Sequence, residues 1–383
     1  MSRVRRWLVV LCGITALVTG CAKPGGVGVP EPVPPQVSGQ TVTPSRTQAP
    51  AEQAFTVLAT GDVLIHPALT GQATADGGGK RDFTDLFAGV RPAVETADLA
   101  VCHLEVPLAG KNGPFEGYPL FSAPPEVATA LDQTGYDTCS TASNHTFDHG
   151  AAGVTTTLDA LDGVGIRHTG SARTEAEAAT PLVLDVAGVK VGQVSFTFGF
   201  NRGAEAPAPW MGNVLDVPRV LEAARAARKA GAEVVIASLH WGIENQHEPT
   251  AEQRAIAAQV LADPAVDLIV GHHAHVVQPF EKINGKWVAY GLGNQVARHE
   301  TPRGTTEEGV MARFRFVRGA SGWTVDRAEY LPTLVDLGPP IRLRDLTAPS
   351  DVDSARRAEA LARTDQVVRS LGAAEEGLRR PGE

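Results

Sequence analysis

An α/β domain built on a mostly parallel sheet, with helices packed outside it, is predicted by the alternation of short apolar runs with helical stretches along the chain. Two further observations extend this reading. Turn signals at Ala187-Gly188 and Asn284-Gly285 predict hairpins, and with them a second, mixed sheet. Polar residues of metal-binding type stand at the ends of five strand-like runs.

The 383-residue chain opens with Arg3, Arg5 and Arg6, followed by an apolar stretch over residues 7–18 that is too short to span a bilayer comfortably. Residues 1–20 therefore read as a signal peptide. The segment ends Leu17-Val18-Thr19-Gly20-Cys21, which resembles a bacterial lipobox with Cys21 as the lipidated residue. The expected product is an exported lipoprotein at the outer face of the cytoplasmic membrane, and Arg5-Arg6 hints at twin-arginine export. Residues 21–54 are rich in Pro, Gly, Val, Ser and Thr and read as a flexible tether.

The main domain is expected over residues 55–337. Residues 55–60 form a buried strand ending in Gly61-Asp62, residues 98–105 a second and 136–143 a third. Helices are expected at 125–134, closed by Gly135, and at 153–163. Residues 181–198 read as a hairpin, 218–230 as a helix with Pro218 near its start and Gly231 past its end, and 233–240 as a strand. Helix 250–263, strand 266–271 and hairpin 282–290 follow. The last strands run from about Val310 to Leu334. In the extension 338–383, residues 338–350 are rich in proline and charge. Residues 352–378 read as a charged helix with Leu361, Val368, Leu371 and Leu378 on one face, either docked or loose.

The net charge of −9, with no basic stripe, argues against nucleic acid as a partner. Of four cysteines, Cys12 belongs to the signal and Cys21 to the anchor; Cys102 and Cys139 lie in neighbouring strands and either pair or remain as buried thiols.

The chemistry lies at the strand ends: Gly61-Asp62, His103-Leu104-Glu105, Ser143-Asn144-His145, His240-Trp241-Gly242 and Gly271-His272-His273-Ala274-His275. In open α/β sheets the carboxyl ends of strands converge on one crevice, so these groups would meet although they are far apart in sequence. Carboxylates, an amide oxygen and imidazoles suit manganese, iron or zinc. A bridging carboxylate can hold two such ions about 3.5–4 Å apart. The His273-x-His275 spacing puts both imidazoles on one side of an extended backbone, so one can serve each ion.

These residues resemble the CapA (PgsA) family of poly-gamma-glutamate capsule proteins, within the calcineurin-like metallophosphatase superfamily. The resemblance runs from about residue 55 to 296. It covers Gly61-Asp62-Val63, Leu104 to Leu108, Phe121 to Glu126, Ala142 to Gly150, His240 to Glu244, Gly271 to Pro279 and Tyr290 to Asn294. It implies a four-layer α/β/β/α sandwich with two divalent metal ions. Asp62 and His275 would bind the first ion, Asn144, His240 and His273 the second, and Glu105 would bridge them. His145 would be the general acid, and Asp148 would either orient it or cap the following helix. The superfamily's histidine two residues after the first aspartate is Leu64 here, and His66 would substitute for it or contact substrate. His103 and Gln295 replace residues that tend to be Asn and Phe in the family. His103, Glu244 and Asn294 would be additional ligands or substrate contacts, whereas His149, His168, His247 and His299 read as surface or structural.

The resemblance implies a metal-dependent hydrolase of poly-gamma-glutamate or another anionic envelope polymer, joined to the membrane by its lipid. Arg202 and Arg298 would suit such a polyanion. The alternatives are a non-catalytic assembly or export factor working with capsule synthesis machinery, and a broad phosphoesterase.

Overall fold

The computed structural model describes residues 53–201 and 206–383. The signal segment 1–20, Cys21, nearly all of the tether 21–54 and Arg202 lie outside the described residues. No described helix is long and apolar enough to cross a membrane.

The chain alternates as expected. β1 (Ala54–Val63) leads through α1 (Pro67–Asp76), α2 (Thr84–Phe87) and α3 (Arg91–Glu95) to β2 (Leu99–Leu104). Then come α4 (Glu126–Thr134), β3 (Thr138–Ser140), α5 (Gly150–Val164), β4 (Arg167–Thr169) and α6 (Glu175–Ala178). β1, β2, β3 and β4 pair in parallel. A second sheet is built from β5 (Leu182–Val186), β6 (Val189–Thr197), α7 (Val217–Lys229), β7 (Val234–His240), α8 (Ala251–Ala262), β8 (Leu268–His272), β9 (Phe280–Ile283) and β10 (Lys286–Ala289). Its strand order is β5-β6-β7-β8-β10-β9, with antiparallel hairpins at both edges. Those hairpins turn where the sequence places them. Asn284 and Gly285 have φ of 53° and 78°, and Ala187 and Gly188 have 50° and 82°. Two successive positive φ values match the twist of the flanking strands.

The chain then returns to the first sheet with β11 (Asn294–Val296), β12 (Glu308–Gly319), β13 (Gly322–Asp336) and β14 (Arg342–Asp345), followed by α9 (Ser354–Val368) and β15 (Leu378–Arg379). The first sheet is ordered β14-β13-β12-β1-β2-β3-β4, with β11 beside β1 and β15 beside β13.

Three apolar layers show the four-layer α/β/β/α sandwich. Leu58, Ala100 and Cys102 meet Val127, Leu131 and Leu158 of α4 and α5 on the outside of the first sheet. Val57, Ala59 and Val101 meet Val191, Val234, Ile236, Leu268 and Val270 between the sheets. Val235, Ala237 and Leu239 meet Val220, Ala224, Ala257 and Val260 of α7 and α8 outside the second. Both outer helices are well started: the Asp216 side chain accepts from Arg219 N, and Thr250 and Gln253 form a reciprocal capping box.

The period-two alternation of each strand decides what lies between the sheets. Along β2 the inward positions read Leu99, Val101, His103; along β7, Val234, Ile236, Ser238, His240; along β8, Leu268, Val270, His272. The inter-sheet layer is thus apolar at the amino ends of these strands and polar at their carboxyl ends. On the other face, Cys102 and Cys139 lie directly opposite each other and are joined as a disulfide.

The expected helix over 352–378 is shorter, because α9 ends at Val368 and Leu378 belongs to a strand. Within the proline- and charge-rich stretch, residues 342–345 form a regular edge strand. The extension docks on the domain. Val368, Ala373 and Leu378 enter the inter-sheet core, and Ala360 packs on Leu334 and Leu346.

Candidate metal centre

The polar ends of β1, β2, β7 and β8, with the loops after β2, β3 and β8, bring the expected ligands to one place. Asp62 and Glu105 are fully buried, and Asn144, His145, His240, His273 and His275 are each at most 6% exposed. His275 Nδ1 lies 3.3 Å from Asp62 Oδ2, and its Nε2 lies 3.6 Å from Glu105 Oε1. His240 Nε2 lies 2.9 Å from Asn144 Oδ1, and the His240 and His273 rings are 4.7 Å apart. Asp62, Glu105 and His275 offer ligand atoms within 4.8 Å of one another, as do Glu244, His273 and His275.

One expectation about backbone is corrected. His273 and His275 do not lie on an extended strand: β8 ends at His272, and their φ values are 87° and 56°. This left-handed bend is held from below, where His273 N donates to Asp62 Oδ2 at 3.1 Å, and from above, where Asn245 N donates to Ala274 O at 2.7 Å. Backbone strain of this kind persists only where the surroundings over-determine it.

The electrostatics follow from burial. Burial alone would raise the Asp62 carboxyl, but the facing His272 and His275 and the other nearby imidazoles hold it well below its ordinary range. Burial, with Asp62 and Glu244 adding negative potential, pushes Glu105 well above the carboxylate range against the pull of His275. Burial would lower His275, yet Glu105 and Asp62 raise it to about 10. Burial and the neighbouring His275 lower His273 to about 3.

The residues fit divalent cations. Asp62 Oδ1, both Glu105 carboxylate oxygens and His273 Nδ1 are buried without a hydrogen-bond partner. Polar atoms left so are costly unless a cation takes them. Asp62, Glu105 and His275 would hold such an ion, and Asn144, His240 and His273 offer further donors beside them. Ligation requires deprotonated donors, so metal uptake should release protons. His275 holds its proton up to about pH 10 in the metal-free protein and Glu105 is raised as well. Affinity should therefore fall as pH is lowered from that value. Titration calorimetry in buffers of different ionisation enthalpy should show proton release at neutral pH; an enthalpy independent of buffer would contradict it.

The remaining expected residues are placed as follows. Asn294 Oδ1 accepts from His275 Nδ1 at 3.0 Å, so it orients the His275 ring. Glu244 is exposed but lies beside His273 and His275. His66 stands apart from the ligand groups. Its Nδ1 accepts from Arg298 N, and its ring packs on Phe121 and His299 at 5.3 and 4.8 Å. The Arg298 side chain is tied to the His299 and Glu300 carbonyls. His103 has both ring nitrogens engaged, with Ser140 Oγ at 2.8 Å and His240 Nδ1 at 3.0 Å.

Asp148 orients rather than caps. Its Oδ2 accepts from His145 Nδ1 at 2.6 Å and from Phe121 N at 2.8 Å, and no side chain caps α5. Two residues of the site were given no role of their own by the sequence, His272 standing in a quoted motif and Asn201 in none. His272 Nδ1 lies 3.4 Å from Asp62 Oδ1, and its position two residues after Val270 in β8 was the available signal. Asn201 links Asn144 to His145 from a loop whose sequence carries no such signal. Asp62, His103 and His272 also cluster, but the two rings stack in near-parallel planes 4.0 Å apart. Their in-plane lone pairs cannot converge on one ion.

The extension reaches this centre through one loop. Arg356 and Arg363 pair with buried Glu308, and Arg356 also holds Gly304 O at 2.6 Å. The loop between them presents Thr306 O to Asn294 Nδ2 at 2.9 Å, and Asn294 holds His275. Replacing both arginines with Met would leave Glu308 buried and unpaired. The expected loss lies near the lower end of roughly 3–5 kcal/mol, since both arginines are partly solvated. Chemical denaturation would measure it, and a loss within error would show that the loop is held by its backbone alone.

A family model described as bacterial capsule synthesis protein PGA_cap matches residues 56–299. The capsule biosynthesis protein CapA of Bacillus anthracis is 32% identical over 179 residues, 46% of this chain and 43% of that protein. The PGA biosynthesis protein CapA of Bacillus subtilis is 27% identical over 198 residues, 51% of each chain. A probable polyglutamine synthesis accessory protein of Mycobacterium tuberculosis is 27% identical over 215 residues, 53% of this chain and 56% of that protein. The chain spans about half the length of the curated relatives it matches. Among solved structures, the calcineurin-like phosphoesterase YfkN from Bacillus subtilis is 15% identical with a TM-score of 0.45, covering 82% of this chain and 97% of that one. The 5'-nucleotidase precursor from Thermus thermophilus is 16% identical with a TM-score of 0.46, covering 82% and 59%.

Proposed function

The chain belongs to the bacterial capsule synthesis protein PGA_cap family, and on that premise we propose that it is a metal-dependent hydrolase acting on poly-gamma-glutamate or a related anionic envelope polymer. The observation that carries this reading is the set of unpartnered, buried donor atoms on Asp62, Glu105 and His273 beside an oriented His145–Asp148 pair. A pair of divalent ions held by these donors would supply Lewis acidity and a water that ionises near neutral pH.

The chain's own groups provide the rest. Asp148 accepts the Nδ1 proton of His145, which leaves Nε2 as the atom that exchanges a proton with the leaving group. Asn201 Nδ2 packs against the ring, 3.3 Å from that Nε2 and 3.4 Å from Nδ1. The His145 ring also packs edge-on against Phe121 at 4.8 Å, which shields one side from water. A protein that merely gripped a polymer would have no use for this oriented imidazole next to the ligand set. Anchoring through lipid on Cys21, at the outer face of the membrane and near capsule synthesis machinery, is part of the same proposal. Labelling cells with a fatty-acid analogue, with and without Cys21→Ala, tests it.

The deciding experiment uses the full chain. Bound metal is counted by mass spectrometry after loading with manganese, iron or zinc, and cleavage of poly-gamma-glutamate and of a simple phosphodiester is followed. Uptake of metal with cleavage of the polymer supports the proposal. Cleavage of the phosphodiester alone makes the protein a phosphoesterase, and metal uptake with neither activity makes it a binding or assembly factor.

A further inference from the structure

Between the two sheets runs a hydrogen-bond chain whose directions, from Asn144 through His240 and His103 to Ser140, are forced because the Asn144 Oδ1 can only accept. The Asp148 carboxylate can only accept, so His145 donates from Nδ1. Asn201 Nδ2 lies 3.3 Å from His145 Nε2 and 3.4 Å from its Nδ1, against the ring and along neither lone pair, and Asn201 Oδ1 accepts from Asn144 Nδ2 at 3.1 Å. Asn144 Oδ1 accepts from His240 Nε2 at 2.9 Å. His240 Nδ1 therefore accepts from His103 Nε2 at 3.0 Å, and His103 Nδ1 accepts from the Ser140 hydroxyl at 2.8 Å.

We propose that His103 is a positioning residue for His240 and that the hydrogen bond between them reverses when His240 takes a divalent ion. The inference rests on the metal reading above. His240 Nδ1 is covered by His103, and both rings are buried, so the nitrogen able to share an ion with Asn144 is Nε2. Ligation there needs the Nε2 lone pair, which places the single proton of the neutral ring on Nδ1. That N–H then donates to His103 Nε2. His103 carries its own proton on Nδ1 and donates to Ser140 Oγ. The Ser140 hydroxyl turns to the Cys102 carbonyl oxygen, 3.3 Å away. Each ring holds one proton before and after, and no buried nitrogen on either ring loses its partner. The stack of His103 on His272, 4.0 Å apart and 13° from parallel, keeps the His103 ring in the plane this requires. A ligand histidine whose second nitrogen is held in this way binds metal more tightly than one left unsupported.

The test is on full-length protein carrying ¹⁵N-labelled histidine. Without metal, long-range nitrogen–proton spectra should show His240 as the Nε2–H tautomer, and zinc should convert it to Nδ1–H. In zinc titrations, His103→Leu should weaken one of two binding events by about 10- to 100-fold and leave the other unchanged. His103→Gln, whose amide oxygen can accept where Nε2 stands, should come within about threefold of the unaltered protein. If His103→Leu binds both ions normally, or if His103→Gln loses an ion outright, the positioning role is overturned, the second result making His103 a ligand. An unaltered protein that takes up no zinc overturns the reversal together with the metal reading. A metal-free His240 found as Nδ1–H, unchanged by His103→Leu, overturns the His103 assignment while leaving the metal reading intact.

Discussion

Glu105→Gln should make the metal-free protein more stable and abolish the stabilisation that metal confers. Both Glu105 oxygens are buried with no hydrogen-bond partner, and burial raises the group well above the carboxylate range. A carboxyl raised in the folded state binds a proton more tightly there than in the unfolded chain. Its cost to stability is absent in acid, begins above the unfolded value and is complete above the folded one. The gain from the neutral amide should therefore be nil near pH 4 and grow as pH rises above the unfolded value, reaching on the order of 1–3 kcal/mol, since the amide has no ionisation for folding to oppose. With metal the sign inverts, because the amide supplies no negative charge to hold a cation. Thermal unfolding with chelator and with saturating manganese, at several pH values, reads both limbs. A variant destabilised equally in both conditions would mean that Glu105 serves His275 as an ion-pair partner and not a metal.

His145→Ala should lower turnover by roughly 10²–10⁴-fold while metal content stays unchanged. The ring is engaged by Asp148 and Asn201, so its removal costs a proton donor and no ligand. Asp148→Asn should lose a comparable factor, since an amide can donate to Nδ1 and so force the proton onto Nε2 in the resting ring. The pH–rate profile separates the two variants: His145→Ala should lose one limb, whereas Asp148→Asn should keep it displaced. Full activity in His145→Ala would assign the proton transfer to another group, and His66, beyond Phe121, would be the next to examine.

Much of the centre was legible in the sequence. Metal-type residues recur at five strand ends, and parallel strands bring their carboxyl ends together. The same logic applied to β8 would have reached His272, whose inward position follows from Leu268 and Val270. Asn201 was not legible, because a loop residue acquires its role from what the fold sets beside it. The bend at His273 and His275 was also out of reach: a histidine–x–histidine spacing is compatible with a strand, and the positive φ values are imposed by Asp62 and Asn245 from distant segments.

The sequence by itself determined the order of strands and helices, the hairpin turns and the inward face of each central strand. These depend on side-chain periodicity and on local backbone preference, which act over a few residues. It also determined which ligand types stand at which strand ends. Only the tertiary structure decided that Asp148 serves His145 instead of a helix, that α9 reaches His275 through Glu308 and Asn294, and that His103 lies under His240. Those outcomes rest on contacts between residues as far as 137 positions apart. A hydrogen bond's direction and an imidazole's tautomer belong to the pair and not to the residue, so they do not exist until the two sheets are packed together.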